Sequence, residues 1–326
     1  MLGKRISALI TCEVTEDFLS ALKARNIEIE LSGWGQSGHV LDQKVLIEKA
    51  RDCEIVIVEI EELSPSVIEA LPNLSFIGVS RGAPVNVDLD HCKQRGISVI
   101  HTPGRNADSV ADYCLSMMLD LSRKITASSR HLSSEGWMFE GKLPYLQFRG
   151  RELGKLNIGL FGYGQIGARV AQRLHMGFGA QVYFFDPFVD SSLHANKVKS
   201  LEELFELSDI VSLHAPVIPE TEYSVNGRLL KLLGRDGILI SSARAKLIVE
   251  EDLYNALATG GLGAAAIDVF WSEPINSENK WLKLPNVICT PHIAGASLDV
   301  VTNHCETILK GLDEWLIKEK TKRGLA

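Results

Sequence analysis

A glycine-rich segment near the middle of the chain has the residue types and the spacing that bind a pyrophosphate. Gly162, Gly164 and Gly167 form the pattern GxGxxG between an apolar run that predicts a strand, NIGLF, and a predicted helix that begins near Ala168. The first glycine permits a tight turn, the second lets the backbone approach the phosphates, and the third lets the helix pack on the strand. Because the start of a helix attracts anions, the segment predicts a dinucleotide site.

Asp186 gives this site a preference between dinucleotides. It ends the next predicted strand, QVYFFD, where its carboxylate can accept hydrogen bonds from both ribose hydroxyls and would repel a 2′-phosphate. No arginine follows at once, and the next residue is Pro187. We therefore expect NAD rather than NADP as the cofactor.

Three further segments place titratable side chains at the ends of predicted strands. The first ends at Arg244 in SSAR, the second runs from Asp268 through Glu273 in DVFWSEP, and the third carries His292 in TPHIAG. The carboxyl ends of parallel strands meet at one edge of a sheet, where ligands bind. A cation, two carboxylates and an imidazole are therefore candidates for one site.

Alternating strands and helices must position these groups. After Leu156 the predicted strands are NIGLF, QVYFFD, DIVSLH, GILISS, AAAIDV and NVICT, with helices at 168–174, 201–207, near Arg228 and at 250–258. The first hundred residues show the same order, with strands near residues 6, 54, 75 and 97 and helices at 15–25, 42–51 and 87–95. The fold class is thus α/β, with two doubly wound parallel-sheet domains.

Three other segments complete the organisation. Asn106 offers an N-cap for a long helix, whose broad apolar stripe is either core or a subunit interface. Between Leu132 and Gly150 the pattern becomes loop-like and aromatic, long enough for an arm over a partner subunit. A final helix over 299–318 would let the chain return to the first domain.

Composition limits the class of protein. The chain has 326 residues, 45% hydrophobic and 23% charged, which fits a globular protein of two domains. Its net charge of −7 disfavours a nucleic-acid surface. No uncharged stretch could span a membrane, and the apolar run from Ile6 ends at Glu13 without a signal-peptide pattern, so we expect a cytoplasmic protein. The six scattered cysteines predict reduced core residues, and no metal site is expected.

Taken together, the motifs resemble the D-isomer-specific 2-hydroxyacid dehydrogenase family. GxGxxG with Asp186, HAPVIPET, SSARAKLIVEE, IDVFWSEP and TPHIAG occur in the order of that family, and RGAPVNVD and TPGRNADSVADY also look like it. The resemblance therefore covers nearly the whole chain. It implies a Rossmann NAD-binding domain, residues 106–298, inserted into a flavodoxin-like substrate domain made of residues 1–105 and 299–326, and it implies a homodimer.

The resemblance also implies the chemistry, a hydride transfer between nicotinamide and a small D-2-hydroxy acid or its 2-oxo partner. His292 would be the acid-base group, with Glu273 holding its far nitrogen and favouring the imidazolium. Arg244 would grip the substrate carboxylate and carbonyl oxygen with its planar fork. Asp268 would meet the nicotinamide amide.

The resemblance assigns two overlapping sets of residues to ligands. The residues implied for the cofactor are Gly162, Tyr163, Gly164, Gln165, Ile166, Gly167, Asp186, Pro187, His214, Ala215, Pro216, Thr221, Ser242, Ala243, Arg244, Asp268, His292 and Ala294. The residues implied for the substrate are Arg81, Gly82, Ala83, Arg105, Arg244 and His292.

Some questions stay open at this point. Arg81 and Arg105 either bind a second anionic group of the substrate, such as a phosphate, or are surface arginines. Ala245 stands where the family usually has glycine, which puts the aim of Arg244 in doubt if that residue needs a positive φ. The alternatives are a non-catalytic NAD-sensing binding module that resembles a corepressor or, among enzymes, a phosphoglycerate dehydrogenase or a hydroxypyruvate or glyoxylate reductase.

Overall fold

The chain divides into two compact units, each built on its own parallel sheet. The computed structural model describes residues 6–322, apart from the side chains of Lys320 and Lys322. Within these limits one unit contains residues 6–106 and 297–322, and the other contains residues 107–296. We refer to them as the five-stranded unit and the seven-stranded unit.

The first part of the five-stranded unit alternates strands with helices on both faces of the sheet. Its strands are β1 (Ile6–Ile10), β2 (Ile27–Leu31), β3 (Ile55–Val58), β4 (Phe76–Val79) and β5 (Ser98–His101). Its helices are α1 (Glu16–Ala24), α2 (Trp34–Ser37), α3 (Gln43–Ala50), α4 (Pro65–Glu69) and α5 (Leu89–Arg95). The strand order β2-β1-β3-β4-β5, all parallel, is that of flavodoxin-like sheets.

The seven-stranded unit repeats the alternation on a larger scale. Its strands are β6 (Asn157–Phe161), β7 (Gln181–Phe185), β8 (Asn196–Lys197), β9 (Ile210–Leu213), β10 (Ile238–Ser241), β11 (Ala264–Ile267) and β12 (Val287–Cys289). Its helices are α6 (Ala107–Arg123), α7 (Ile125–Glu135), α8 (Gln165–Arg173), α9 (Leu201–Leu207), α10 (Gly227–Leu233) and α11 (Glu250–Ala258). The order β12-β11-β10-β9-β6-β7-β8, all parallel, contains the Rossmann arrangement.

A long terminal helix, α12 (Leu298–Lys322), completes the five-stranded unit. Ile308, Leu312 and Trp315 on this helix are buried in the core cluster that also contains Phe76 of β4. The Trp315 and Phe76 rings lie 5.4 Å apart. The end of the chain therefore supplies part of the core for the strands at its start. Within residues 6–322 no helix is long and apolar enough to cross a membrane.

The fold class is confirmed, while several element bounds differ from those expected. Helix α8 begins at Gln165 rather than near Ala168, because Gly164 serves as its N-cap. The terminal helix extends beyond 299–318 at both ends. The edge strand β2, IEIEL, was not predicted, since its alternating glutamates interrupt the apolar run.

The stretch expected to be a loop from Leu132 begins instead within α7. This helix lacks a clear apolar stripe, but its serine hydroxyls donate to backbone carbonyls one turn earlier, as Ser133 and Ser134 do. Because these serines form their hydrogen bonds within the helix and add no apolar stripe, the sequence gives only a weak helical pattern here. The helix continues to Glu135, and the irregular segment begins after it.

Candidate functional site

The glycine-rich turn after β6 forms a cradle that fits a pyrophosphate. Gly162 has a φ of +96°, and a Cβ there would lie 2.6 Å from the Ala215 nitrogen, so only glycine suits that position. A Cβ on Gly164 would meet nothing within 4 Å, which leaves open space above the start of α8. No side chain caps this helix, so the N–H groups of its first turn are available to an anion.

Asp186 lies just beyond β7 and is fixed by the backbone. Its carboxylate accepts hydrogen bonds from the Tyr163 N–H, at 2.7 Å, and from the Phe188 N–H, at 2.8 Å. The first of these bonds ties the acid to the glycine-rich turn. Since a carboxylate can accept about four hydrogen bonds, it keeps capacity for ribose hydroxyls.

The segment after β9 borders the same turn. His214 is held neutral, because burial lowers its pKa to about 4, and its buried Nε2 atom has no hydrogen-bond partner among the described residues. Thr221 shapes the following loop, since its hydroxyl donates to the Pro216 carbonyl and accepts from the Ile218 N–H. An orphaned buried nitrogen beside an open glycine cradle fits a site built for a bound group.

His292 and Glu273 form a hydrogen-bonded pair. The Nδ1 atom of His292 lies 2.8 Å from Oε2 of Glu273, and Oε1 of the same carboxylate accepts the Phe270 N–H at 2.8 Å. A carboxylate can only accept, so Nδ1 carries a proton and Nε2 is the nitrogen left for other partners. Burial raises the pKa of Glu273, but the hydrogen bonds from His292 and Phe270 outweigh it and hold that pKa below its ordinary value. The acid is therefore ionised at neutral pH.

The turn that carries His292 is tied to Asp268 at the end of β11. Both oxygens of this fully buried carboxylate are used: Oδ1 accepts from the Thr290 hydroxyl and the Ile293 N–H, and Oδ2 accepts from the Ala294 N–H. His292 itself has a φ of +56°, a conformation that non-glycine residues adopt only when their surroundings hold them. Asp268 thus serves the turn, while its contact with nicotinamide stays a prediction.

Arg244 follows β10 and is exposed, with Nη1 donating to the Ala243 carbonyl at 2.6 Å. Its charge helps to lower the pKa of Glu273, which places it in the same electrostatic field as the His292 pair. Ala245 begins a short 3₁₀ helix, Ala245–Leu247, in which φ is negative. Alanine is therefore unstrained where the family pattern has glycine. Ser242 contacts the Cys114 sulfur at 3.2 Å and lies in the core under this segment.

The remaining candidates, Arg81, Gly82, Ala83 and Arg105, lie in the five-stranded unit. Gly82 has open space where a Cβ would be, and its carbonyl accepts a hydrogen bond from His101 at 2.9 Å, which fixes the loop after β4. The Arg81 carbonyl accepts the Thr102 N–H at 2.9 Å. Among the described residues the Arg81 guanidinium has one long hydrogen-bond contact, 3.5 Å to the Glu59 carbonyl, and its charge opposes the rise in the pKa of Glu59 that burial causes.

Arg105 differs from Arg81 because its guanidinium is already engaged. Its Nη2 pairs with the Glu59 carboxylate, and its Nη1 donates to Nδ1 of His304 at 2.9 Å. Nε2 of His304 then donates to the Glu13 carbonyl at 2.9 Å, so this histidine is neutral. Burial lowers the pKa of His304 to about 4, in agreement with that arrangement. Arg105 therefore has a structural network of its own.

Within residues 6–322 no group of three or more His, Cys, Asp or Glu side chains is arranged to hold a metal ion. The groups assembled at the carboxyl edge of the seven-stranded sheet are instead an imidazole, its carboxylate, an arginine and an anion cradle. These are the groups that proton transfer and carboxylate binding require beside a dinucleotide.

Comparison with known proteins decides the family. A family model described as D-isomer specific 2-hydroxyacid dehydrogenase, NAD binding domain, matches residues 115–294, more than half of the chain. The chain belongs to the D-isomer specific 2-hydroxyacid dehydrogenase family. The cofactor cradle, the Arg244 segment and the His292 turn all lie within the matched residues.

Individual relatives cover nearly the whole chain. A glyoxylate reductase of Korarchaeum cryptofilum is 30% identical over 93% of this chain and 90% of its own length. A hydroxypyruvate reductase of Thermotoga maritima is 32% identical over 79% of this chain and 83% of its own. The crystal structure of the TT0316 protein of Thermus thermophilus is similar at 30% identity, with a TM-score of 0.80 and 94% of each chain covered.

These D-isomer specific 2-hydroxyacid dehydrogenases are oxidoreductases, and this chain is one of them. The family is NAD(P)-dependent and includes glyoxylate and hydroxypyruvate reductases. The resemblance on which the sequence expectations rest is thereby confirmed.

Proposed function

We propose that this protein transfers a hydride between NAD and a small D-2-hydroxy acid or its 2-oxo partner, with His292 as the acid-base group. The observation that carries the proposal is the pair between His292 Nδ1 and Glu273 Oε2, 2.8 Å apart, with Arg244 in the same field. Nicotinamide supplies the hydride when it is bound. The protein residues then need only bind the acid and move one proton.

Proton transfer is assigned to Nε2 of His292. During reduction of a 2-oxo acid this nitrogen donates a proton to the carbonyl oxygen, and during oxidation it accepts one from the hydroxyl. Glu273 is ionised and accepts the Nδ1 proton, which fixes the ring with Nε2 left for the substrate. The half-exposed position of the imidazole lets it exchange protons with solvent between turnovers.

Substrate binding is assigned to Arg244. Its planar guanidinium can donate two parallel hydrogen bonds to a carboxylate, which lysine cannot do. Nη1 donates to the adjacent Ala243 carbonyl, so the side of the fork formed by Nε and Nη2 remains for substrate. Gly82 and Ala83, in the five-stranded unit, stay predictions of the family resemblance.

The preferred dinucleotide is NAD. Asp186 is fixed by the Tyr163 and Phe188 N–H groups, so its charge has a defined place beyond β7. A 2′-phosphate near this carboxylate would be repelled, whereas ribose hydroxyls could donate to it. The neighbouring residues Pro187 and Phe188 offer no cation in return.

Of the two arginines that could bind a second anionic group of the substrate, Arg81 and Arg105, we favour Arg81. Arg105 is committed to Glu59 and His304, while the Arg81 guanidinium has one long contact to the Glu59 carbonyl. If the substrate carries a second anionic group, Arg81 is the residue that meets it. A substrate without one would leave Arg81 unused.

We also propose a homodimer formed through the irregular segment after α7. Its exposed apolar side chains include Trp137, 69% exposed, and Tyr145, 77% exposed. Phe139 and Phe148 contact the His131 ring and attach the segment to α7. Large exposed apolar side chains on a segment that is packed against a helix indicate a protein–protein interface. Because the family resemblance implies a homodimer, we propose that a second copy of this chain binds there.

The test follows NADH absorbance with glyoxylate, pyruvate, hydroxypyruvate, longer 2-oxo acids and phosphohydroxypyruvate, and repeats each assay with NADPH. We expect turnover of at least one acid, faster with NADH, and its loss in Arg244→Ala. Turnover of phosphohydroxypyruvate that falls selectively in Arg81→Ala would identify a second anion. If NADH binds but no acid is reduced, the proposal fails and a binding module remains.

A further inference from the structure

A tyrosine on α6 is connected to the turn that carries His292. The Tyr113 hydroxyl lies 2.7 Å from Oγ1 of Thr290, two residues before the histidine, and Thr290 Oγ1 lies 2.6 Å from Oδ1 of Asp268. All three residues belong to the seven-stranded unit. Neither Tyr113 nor Thr290 has a role in the function proposed above.

The direction of these hydrogen bonds follows from the acceptor at their end. The Asp268 carboxylate already accepts the Ile293 and Ala294 N–H groups, so it accepts the Thr290 hydroxyl proton as well. Thr290 Oγ1 can then only accept from Tyr113, which must donate. Burial raises the pKa of the Tyr113 hydroxyl, and it therefore stays protonated and able to donate at any working pH.

We propose that Tyr113 is a positioning residue for the acid-base turn, acting on His292 through Thr290 and Asp268. This inference rests on the proposed role of His292. The turn needs such support because His292 has a φ of +56°, which is maintained only while its neighbours are fixed. Asp268 holds the turn on the C-terminal side of His292, and Thr290 holds it on the N-terminal side. Tyr113 orients the Thr290 hydroxyl for this task.

The position of the imidazole depends on this support at both ends. Glu273 holds only Nδ1 and leaves the backbone of the turn unconstrained. A small rotation of the turn would move Nε2 away from the reacting oxygen, although substrate and dinucleotide could still bind. Loss of the Tyr113 hydroxyl should therefore lower kcat much more than it changes KM.

The test measures kcat and KM for the best 2-oxo acid, together with NADH affinity and melting temperature. In Tyr113→Phe we expect kcat to fall about 5- to 30-fold, with KM changed less than about twofold. Thr290→Val should lower kcat at least as much, and Thr290→Ser, which keeps a hydroxyl, should restore most of it. Tyr113→Phe should have no further effect in the Thr290→Val background, because its acceptor is gone.

Tyr254→Phe is the matched control. It removes a hydroxyl from the same unit for which the structure shows no hydrogen-bond partner among the residues it describes, and it should leave kcat unchanged. A Tyr113→Phe enzyme with the wild-type kcat would overturn the proposal. So would additive losses in the double variant, since independent effects would mean that no relay connects the two hydroxyls.

Hydrogen exchange provides a readout that does not need a substrate. In Tyr113→Phe the amides of Ile293 and Ala294, measured in the peptide that contains them, should exchange faster than in wild type, with no change in the peptide that contains β6. If the wild-type protein reduces no acid but these amides exchange faster, the proposed function fails and the anchoring remains. Unchanged exchange overturns the anchoring itself.

Discussion

The imidazole of His292 has two nitrogens with different surroundings, and this asymmetry determines its chemistry. Nδ1 is committed to Glu273, and the same carboxylate is committed to the Phe270 N–H. Nε2 is consequently the nitrogen left for the proposed substrate. The residue at position 273 thus decides the orientation of the ring and places a negative charge beside Nδ1.

Glu273→Gln tests this support. The amide keeps the size of the side chain but loses the negative charge beside Nδ1, so we expect reduction of the 2-oxo acid to slow about 10- to 100-fold at neutral pH. Because the pKa of Glu273 lies below its ordinary value, the charge is present throughout the neutral range and the loss of rate should appear across it. Steady-state rates between pH 5 and 9 would show this, and Glu278→Gln, on an exposed glutamate, is the control. A variant with the wild-type rate across this range would remove Glu273 from the acid-base assignment.

Asp186 allows a second test of a single side chain. Asp186→Ser removes the charge that would repel a 2′-phosphate, so the ratio of kcat/KM for NADH to that for NADPH should fall about tenfold or more. Rates with both dinucleotides at one fixed 2-oxo acid concentration give this ratio. A variant with the wild-type ratio would show that the preference comes from elsewhere.

At the scale of elements, the sequence predicts the helices and strands that show a clear apolar pattern within their own residues. The glycine turn, Asp186 and all strands other than β2 and β8 follow from apolar runs and the turn residues that bound them. The strand β2 and the helix α7 do not, because glutamates and serines give them no apolar pattern. The connection from Tyr113 to Thr290 spans 177 residues, and no local signal could predict it.

Two glycines at the start of α8 should differ in what their replacement by alanine affects, NADH affinity in one case and protein stability in the other. Gly164→Ala places a methyl group in open space but gives α8 a poorer N-cap, so the melting temperature should fall less than in Gly167→Ala, while NADH affinity falls about tenfold or more. Gly167→Ala drives a Cβ into the Gly162 carbonyl oxygen and should destabilise the protein by about 1–3 kcal/mol. Thermal melting and NADH fluorescence titration measure both quantities. Equal loss of stability in the two variants would contradict the interpretation that Gly164 borders an open cradle for the dinucleotide.

At the scale of the whole molecule, the network of Arg105, Glu59 and His304 links α12 to the start of the chain within the five-stranded unit. His304 is buried and neutral, with a pKa of about 4 in the folded protein, against about 6.5 for an ordinary histidine. The unfolded chain therefore binds a proton between these values that the folded chain does not. The stability contributed by the neutral histidine is full above pH 6.5 and is lost as the pH falls toward 4.

Acid titration of stability tests this network. The melting temperature of wild type should fall between pH 6.5 and pH 4. His304 should account for a loss of up to about 3 kcal/mol in the free energy of unfolding over that range. His304→Asn should be less stable at pH 8 but should lose less stability over that range. His39→Asn, at an exposed histidine, should follow wild type. Parallel curves for wild type and His304→Asn would contradict a buried neutral imidazole.

The proposed homodimer is also a property of the whole molecule. Sedimentation should give twice the chain mass of 35.8 kDa, and the double variant Trp137→Ser, Tyr145→Ser should shift the protein toward the monomer. Leu193→Ser, at an exposed leucine outside the segment, is the control. A wild-type monomer would remove the proposed interface without affecting the assignment of His292.

The most direct measurement of the central claim compares His292→Ala with wild type on the best 2-oxo acid and NADH. If His292 transfers the proton, kcat should fall about 10²- to 10⁴-fold while NADH affinity stays unchanged. A variant that turns over at nearly the wild-type rate would contradict the assignment of His292 as the acid-base group of this dehydrogenase.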